Sequence, residues 1–249
     1  MQFSKPLLIT KLKATAVHLS MSIAVFIYLA YQIYFNWYPQ PYFTVDGGWQ
    51  GIRLVGAVDL VLGPFITFLI FDLNKSRRAI LFDLVTIAVI QLAVLSYGIY
   101  LTYSQRPLAV VVMDQFVLST TMEQYGGKLE PADDLRRYSD EKPPIIYSDF
   151  PLDREGIDEV QRIKIEDKVL ELAQMQLYRS RSELAAVLQE RQQAARDLLE
   201  QVGLKPAFAD WLQRNGKTAD EVLILRFEGR YGYAWLVFDF TGRLLGYFL

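Results

Sequence analysis

His18, Arg53, Asp59 and Asp83 are ionisable residues set inside runs of otherwise apolar sequence. In GIRLVGAVDLVLGPFITF, residues 51–68, Asp59 stands about 9 Å further along a helix than Arg53, at about 1.5 Å per residue, and Pro64 follows. Gly56, Asp59 and Gly63 recur at i, i+3 and i+7 and share one helical face. A small–polar–small face lets a second helix approach closely and gives a carboxylate a place away from lipid. His18 and Ser22 stand at i, i+4, Gln91 lies in the middle of a third apolar run, and Asp83 lies one turn inside its start. A charge in a membrane helix costs about 2.5–3.5 kcal/mol on insertion scales, so such residues have a partner or a task. The chemistry they support is interhelical hydrogen bonding. Two readings stand side by side: they hold the helices of this chain together, or they bind a partner helix. Arg53, in the first turn of its run, can snorkel to the headgroups. Pro64 lacks a backbone donor and clashes with the carbonyl of Leu60, which predicts a kink.

The elements that must position these residues follow from length and flanking charge. A membrane helix needs about 20 mostly apolar residues, and windows near 14–38, 51–71 and 79–103 qualify. Lys5, Lys11 and Lys13 precede the first window, and Lys75, Arg77 and Arg78 lie in the NKSRRA link between the second and third. The loop YPQPYFTVDGGWQ has neither Lys nor Arg. Positive residues favour the cytoplasmic side, so the N-terminus and second link are expected inside, and the first loop and everything after Tyr103 outside. The first window ends in aromatics (Tyr28, Tyr31, Tyr34, Trp37 and Tyr38) rather than in small residues before a cleavage site. It therefore reads as an uncleaved anchor with an interfacial belt.

Up to Ser104 the chain has 7 Lys/Arg and 4 Asp/Glu, and beyond it 19 and 24. The division predicts a membrane domain over 1–104 and a periplasmic α+β domain over 105–249. RPLAVVVMDQFVLST reads as a buried strand, and the proline-containing stretch Met122 to Asp153 as a long loop. A helix is expected from Gly156 to about Arg179. The capping box Ser180-x-x-Glu183 opens a second helix, SELAAVLQERQQAARDLLEQV. VLILRF, YAWLVFDF and RLLGYFL predict a three-stranded antiparallel meander with a turn at Thr241-Gly242.

The composition excludes several functions. With His18 as the single histidine and no cysteine, a Ser-His-Asp triad or a thiolate or histidine metal cluster outside the membrane is impossible. No Walker loop, G-x-G-x-x-G or HExxH occurs, so no cofactor is expected. Asp133/Asp134 read as solvated loop carboxylates, and the DGG at Asp46–Gly48 as a turn between membrane helices. No basic stripe points to nucleic acid. Binding is favoured over catalysis, either of another polypeptide or, as a membrane-anchored sensor-type module, of a small ligand.

HLSMSIAVFIYLAYQIYFNWYPQPYF, DGGWQGIRLVGAVDLVLGPFITFLIFD and RPLAVVVMDQF resemble the type IV pilin accessory proteins of the TfpX/TfpZ type. The resemblance covers most of the membrane half and the start of the external domain. It implies a pilin chaperone of the Gram-negative inner membrane, with the major type IV pilin and the lipid bilayer as partners. It also implies a pilin helix with an acidic residue near its cytoplasmic end, at the depth of His18 and of Lys11/Lys13. The candidate partner-binding residues are accordingly His18, Arg53, Gly56, Asp59, Gly63, Pro64 and Asp83.

Overall fold

Apolar sequence uninterrupted by Gly or Pro from Leu7 to Tyr31 satisfies its backbone most economically as a helix, and α1 spans Lys5–Tyr31. The computed structural model describes residues 5–71, 75–113, 116–127 and 134–249, with side chains from Leu8 onward. The NKSRRA link therefore lies partly outside the described residues, as do Asp133 and Pro131. A π-helical turn, Gln32–Trp37, extends α1. The short helix α2 (Tyr42–Val45) and then α3 (Gly48–Gly56) follow. A second π stretch, Ala57–Leu62, leads into α4 (Gly63–Ile70), and α5 is Arg77–Ser104. Three helical rods, Leu8–Trp37, Gly48–Ile70 and Arg77–Ser104, are long and apolar enough to cross a membrane.

The second π stretch accounts for Pro64. The Gly63 N–H bonds to the carbonyl of Val58, five residues back, so the backbone widens just ahead of the proline ring, where an α-helical turn would clash. π turns are rare and gather at functional sites. This one carries Asp59.

The chain divides into two compact units: Met1–Trp37 with Gly48–Tyr103, and Tyr38–Gly47 with Ser104–Leu249. The first loop is thus built into the C-terminal unit. Tyr38, expected in an interfacial belt, is 2% exposed there. The unit is centred on a six-stranded sheet in the order β3-β1-β2-β4-β5-β6. Its strands are β1 Ala109–Val112, β2 Val117–Thr120, β3 Ile145–Tyr147, β4 Leu223–Gly229, β5 Gly232–Phe238 and β6 Leu244–Phe248. The predicted meander is β4-β5-β6, antiparallel throughout. β1 pairs antiparallel with β2 and parallel with β3, and β2 joins β4 in parallel through Leu118↔Glu228. Among the described residues the unit also holds helices α6 Arg154–Glu166, α7 Arg181–Glu190, α8 Gln192–Gln201 and α9 Lys205–Asn215.

Alternation along β1 explains why all of its side chains are buried. Val110 and Val112 join Leu225, Phe227 and Leu236 in one core, while Ala109 and Val111 join Tyr125, Ile146 and Tyr178 in another. A strand covered on both faces reads as continuous apolar sequence. The run read as one strand is two: β1 and β2 pair antiparallel, and the Met113 N–H bonds to the Phe116 carbonyl. The expected long loop contributes β3, a strand too short to show periodicity. The helix expected from Gly156 ends at Glu166, and 3₁₀ turns follow at Glu171–Ala173 and Met175–Leu177. The second expected helix does begin with the Ser180–Glu183 capping box, but it breaks at Arg191 into α7 and α8.

Candidate functional site

Asp59 is 3% exposed, and its Oδ1 accepts hydrogen bonds from Ser22 Oγ of α1 (3.0 Å) and Gln91 Nε2 of α5 (2.9 Å). One carboxylate oxygen thereby joins all three apolar rods. Its Oδ2 is buried with no hydrogen-bond partner among the described residues. One turn toward the predicted cytoplasmic end, His18 Nδ1 lies 2.6 Å from Thr67 Oγ1. Below that, Lys11 is 6% exposed and donates to the carbonyls of Phe68 and Leu69 (3.2 and 3.1 Å). A cation placed at the last carbonyls of α4 satisfies groups that the helix leaves open. Together these contacts form a polar ladder between α1 and the second rod.

The predicted glycine face is divided between two neighbours. A Cβ on Gly56 would lie 3.1 Å from the Phe26 ring of α1, and one on Gly63 would fall on the Gln91 amide of α5. The intervening π turn advances fewer degrees per residue than an α turn, so the i, i+3, i+7 face does not run straight. Pro64 is buried at the start of α4. Arg53 is exposed, its guanidinium 5.1 Å from the Trp49 ring, a cation–π placement outside the polar ladder. Asp83 is also separate: it pairs with Lys75 at 2.6 Å. His18 and Asp59 are thus brought into one site, while Arg53 and Asp83 are not. Thr67 is the participant that sequence reasoning left out, and Lys11, expected at the depth of a partner's acidic residue, is found on the Phe68 and Leu69 carbonyls of its own chain. The signal for Thr67 was its place one turn beyond Gly63 on the rod that carries Asp59.

Beside the ladder, α1 and α5 enclose an open groove of about 550 Å³ whose polar residues are His18, Ser22, Asp59, Thr67 and Gln91. The rest of the lining is apolar, including Val17, Met21 and Leu92.

The C-terminal unit has polar features of its own. Asp46 is 0% exposed, and its Oδ1 accepts from the Arg230 backbone N–H (3.1 Å) and Nε (3.0 Å). The same guanidinium donates to Gln105 Oε1 (3.0 Å) and to the Gln105 carbonyl (2.8 Å). Burial works to lower the Arg230 pKa, but the Asp46 carboxylate outweighs it and leaves the group raised. The DGG turn is therefore also an internal tie. For the Tyr178 and Tyr125 phenols, whose oxygens lie 2.8 Å apart, burial acts the other way and raises the pKa. A cleft of about 860 Å³ is lined in part by Ser119, Glu228 and Lys168. The Lys168 backbone has φ 58°, a conformation strained for a residue with a side chain.

The family model for the fimbrial assembly protein FimB matches residues 6–47, which cover α1, its π extension and the loop containing Asp46. A fimbrial assembly protein of serogroups C1 and C2 of Dichelobacter nodosus is 35% identical over 99 residues, covering 40% of this chain and 76% of the relative. The chain belongs to this family. Fimbrial assembly proteins of serogroups E1 and I of the same organism are also 35% identical over 99 residues, and there the match covers 38% of each relative. No solved structure matches. The family model ends at Gly47, so it includes His18 and Ser22 but not Asp59.

Proposed function

We propose that this chain is a multi-pass protein of the bacterial inner membrane that supports type IV pilus biogenesis by binding and stabilising the major pilin before assembly. In this reading the three apolar rods span the membrane, the N-terminus is cytoplasmic and the C-terminal unit is periplasmic. The positive residues at Lys11, Lys75, Arg77 and Arg78 support that orientation, and membership of a fimbrial assembly family supports the process. The role is that of a chaperone and not of an enzyme. With no cysteine, and with its single histidine, His18, inside an apolar rod, the sequence offers no Ser-His-Asp or Cys-His arrangement outside that rod, which supports this.

One observation carries the reading. A carboxylate is kept in the middle of three membrane-length rods, held by one oxygen, beside an open groove. Intramembrane ionisable groups mark functional sites by default. A second contact is available at β6, an edge strand of the sheet, which can pair with an extended segment of the pilin head. Two weak contacts on one scaffold raise avidity without added chemistry. The cleft beside Lys168 favours the second reading, a periplasmic ligand-binding module.

The test is the amount and intact mass of the major pilin in cells with and without this protein. A fall in amount at unchanged mass is expected. A mass change would assign a modifying role instead, and unchanged amount and mass would remove the chaperone reading.

A further inference from the structure

We propose that the groove between α1 and α5 seats one further transmembrane helix, and that this helix donates a hydrogen bond to Asp59 Oδ2. The inference rests on the membrane placement and the partner-binding role proposed above, and it names the shape and chemistry of what binds.

The groove walls give the shape. From α1 it is lined by Ala14, Val17, His18, Met21, Ser22 and Val25, and from α5 by Leu84, Ile87, Ala88, Gln91, Leu92 and Leu95. Both sets follow the same spacing: i, i+3, i+4, i+7, i+8, i+11. Each is a single helical stripe of about three turns, roughly 16 Å long at 1.5 Å per residue. Two matched stripes flanking a trough are the arrangement that accepts an amphipathic or apolar helix. The walls are also unpartnered: Val17, Met21 and Leu92 are 64%, 67% and 63% exposed.

The floor gives the chemistry. Asp59 lines the groove; its Oδ1 receives donors from both flanking helices, while its Oδ2 is buried and receives none among the described residues. An acyl chain would fill the apolar walls but bring no donor. A helix carrying Ser, Thr, Asn, Gln, Tyr, Trp or a basic residue at that level would satisfy the atom and fix its own register. A buried polar atom left alone is costly, so the donor also distinguishes the intended helix from an apolar competitor.

The experiment uses the full chain in native membranes with a photo-crosslinking residue at position 21 or 92, and at Val89 as control, which is 61% exposed and outside the groove. Adducts to one other polypeptide are expected from 21 and 92 and not from 89. The mapped partner segment should be an apolar helix with a donor side chain within a turn of the adduct. Asp59→Leu should lower adduct yield per molecule of chain about 3- to 30-fold, the range for one interhelical polar contact. Ser20→Ala, which removes a hydroxyl of α1 that bonds to the Ala16 carbonyl outside the groove, should leave the yield unchanged. Equal losses in the two variants, adducts only to lipid or to a second copy, or a partner helix without a donor would each overturn the inference. Groove adducts to a helix other than pilin would leave the inference standing and remove the pilin reading. A pilin level that depends on the chain, with no groove adduct, would do the reverse.

Discussion

Replacing Asp46 by Ala tests whether the first loop is an energetic part of the C-terminal unit. The substitution takes Oδ1 away from the Arg230 backbone N–H and Nε. Breaking a fully buried ion pair costs about 3–5 kcal/mol, because the surviving charge is left unpaired. Here the Arg230 side chain is 33% exposed and keeps its bonds to Gln105, so part of that cost is relieved. About 2–3 kcal/mol remains, comparable to one or two hydrogen bonds to a charged group. For a unit of this size each kcal/mol shifts the melting temperature by about 2–4 °C, so a drop of about 4–12 °C is expected. The assay is thermal unfolding of the detergent-solubilised full chain, followed by tryptophan fluorescence, since Trp235 is 1% exposed in the C-terminal core. Asp46→Asn, which retains an acceptor, should lose less. In a double-mutant cycle with Arg230→Leu the coupling should exceed about 1 kcal/mol. Additivity within about 0.5 kcal/mol would refute the tie.

Two further outcomes follow from packing and orientation. Gly63→Ala places a methyl on the Gln91 amide, which can swing aside only by giving up its bond to Asp59, and should lower the stability of the helical unit by about 0.5–1.5 kcal/mol. Gly98→Ala, whose methyl would meet only Leu54 at 3.7 Å, should be tolerated; equal behaviour of the two in a melting experiment would contradict the packing. Because the chain contains no cysteine, single cysteines can report sidedness. A membrane-impermeant maleimide applied to spheroplasts should label Lys168→Cys and spare Ser76→Cys until the cells are lysed, and the opposite pattern would invert the orientation.

The apolar rods were legible because hydropathy over about 20 residues needs no tertiary information. The meander and the Ser180–Glu183 capping box were legible because their signals are local. The π turn was not: Pro64 announces a disturbance of the helix, but whether the backbone bends or widens depends on what Asp59 must reach. β3 was invisible because Ile145–Tyr147 is a strand only through pairing with β1. Helix α9 could have been found from Pro206 in its first turn and the left-handed Gly216 that ends it. At the site, Asp59 was legible from its cost in a membrane, and Gln91 from its place in the third run. Which of them meet, and that Gly56 and Gly63 face different helices, depends on the rod packing. The partner of Asp46 lies 184 residues away, at Arg230, and no local signal joins them.

The proposal that this chain grips the major pilin is tested most directly by affinity isolation of the tagged full-length protein from detergent-solubilised membranes, with quantitation of what accompanies it. Pilin should co-isolate with the tagged chain, be absent from a tag-only control, and decline in the Asp59→Leu variant. Isolation of the intact chain without pilin, from cells that contain both, would contradict the account.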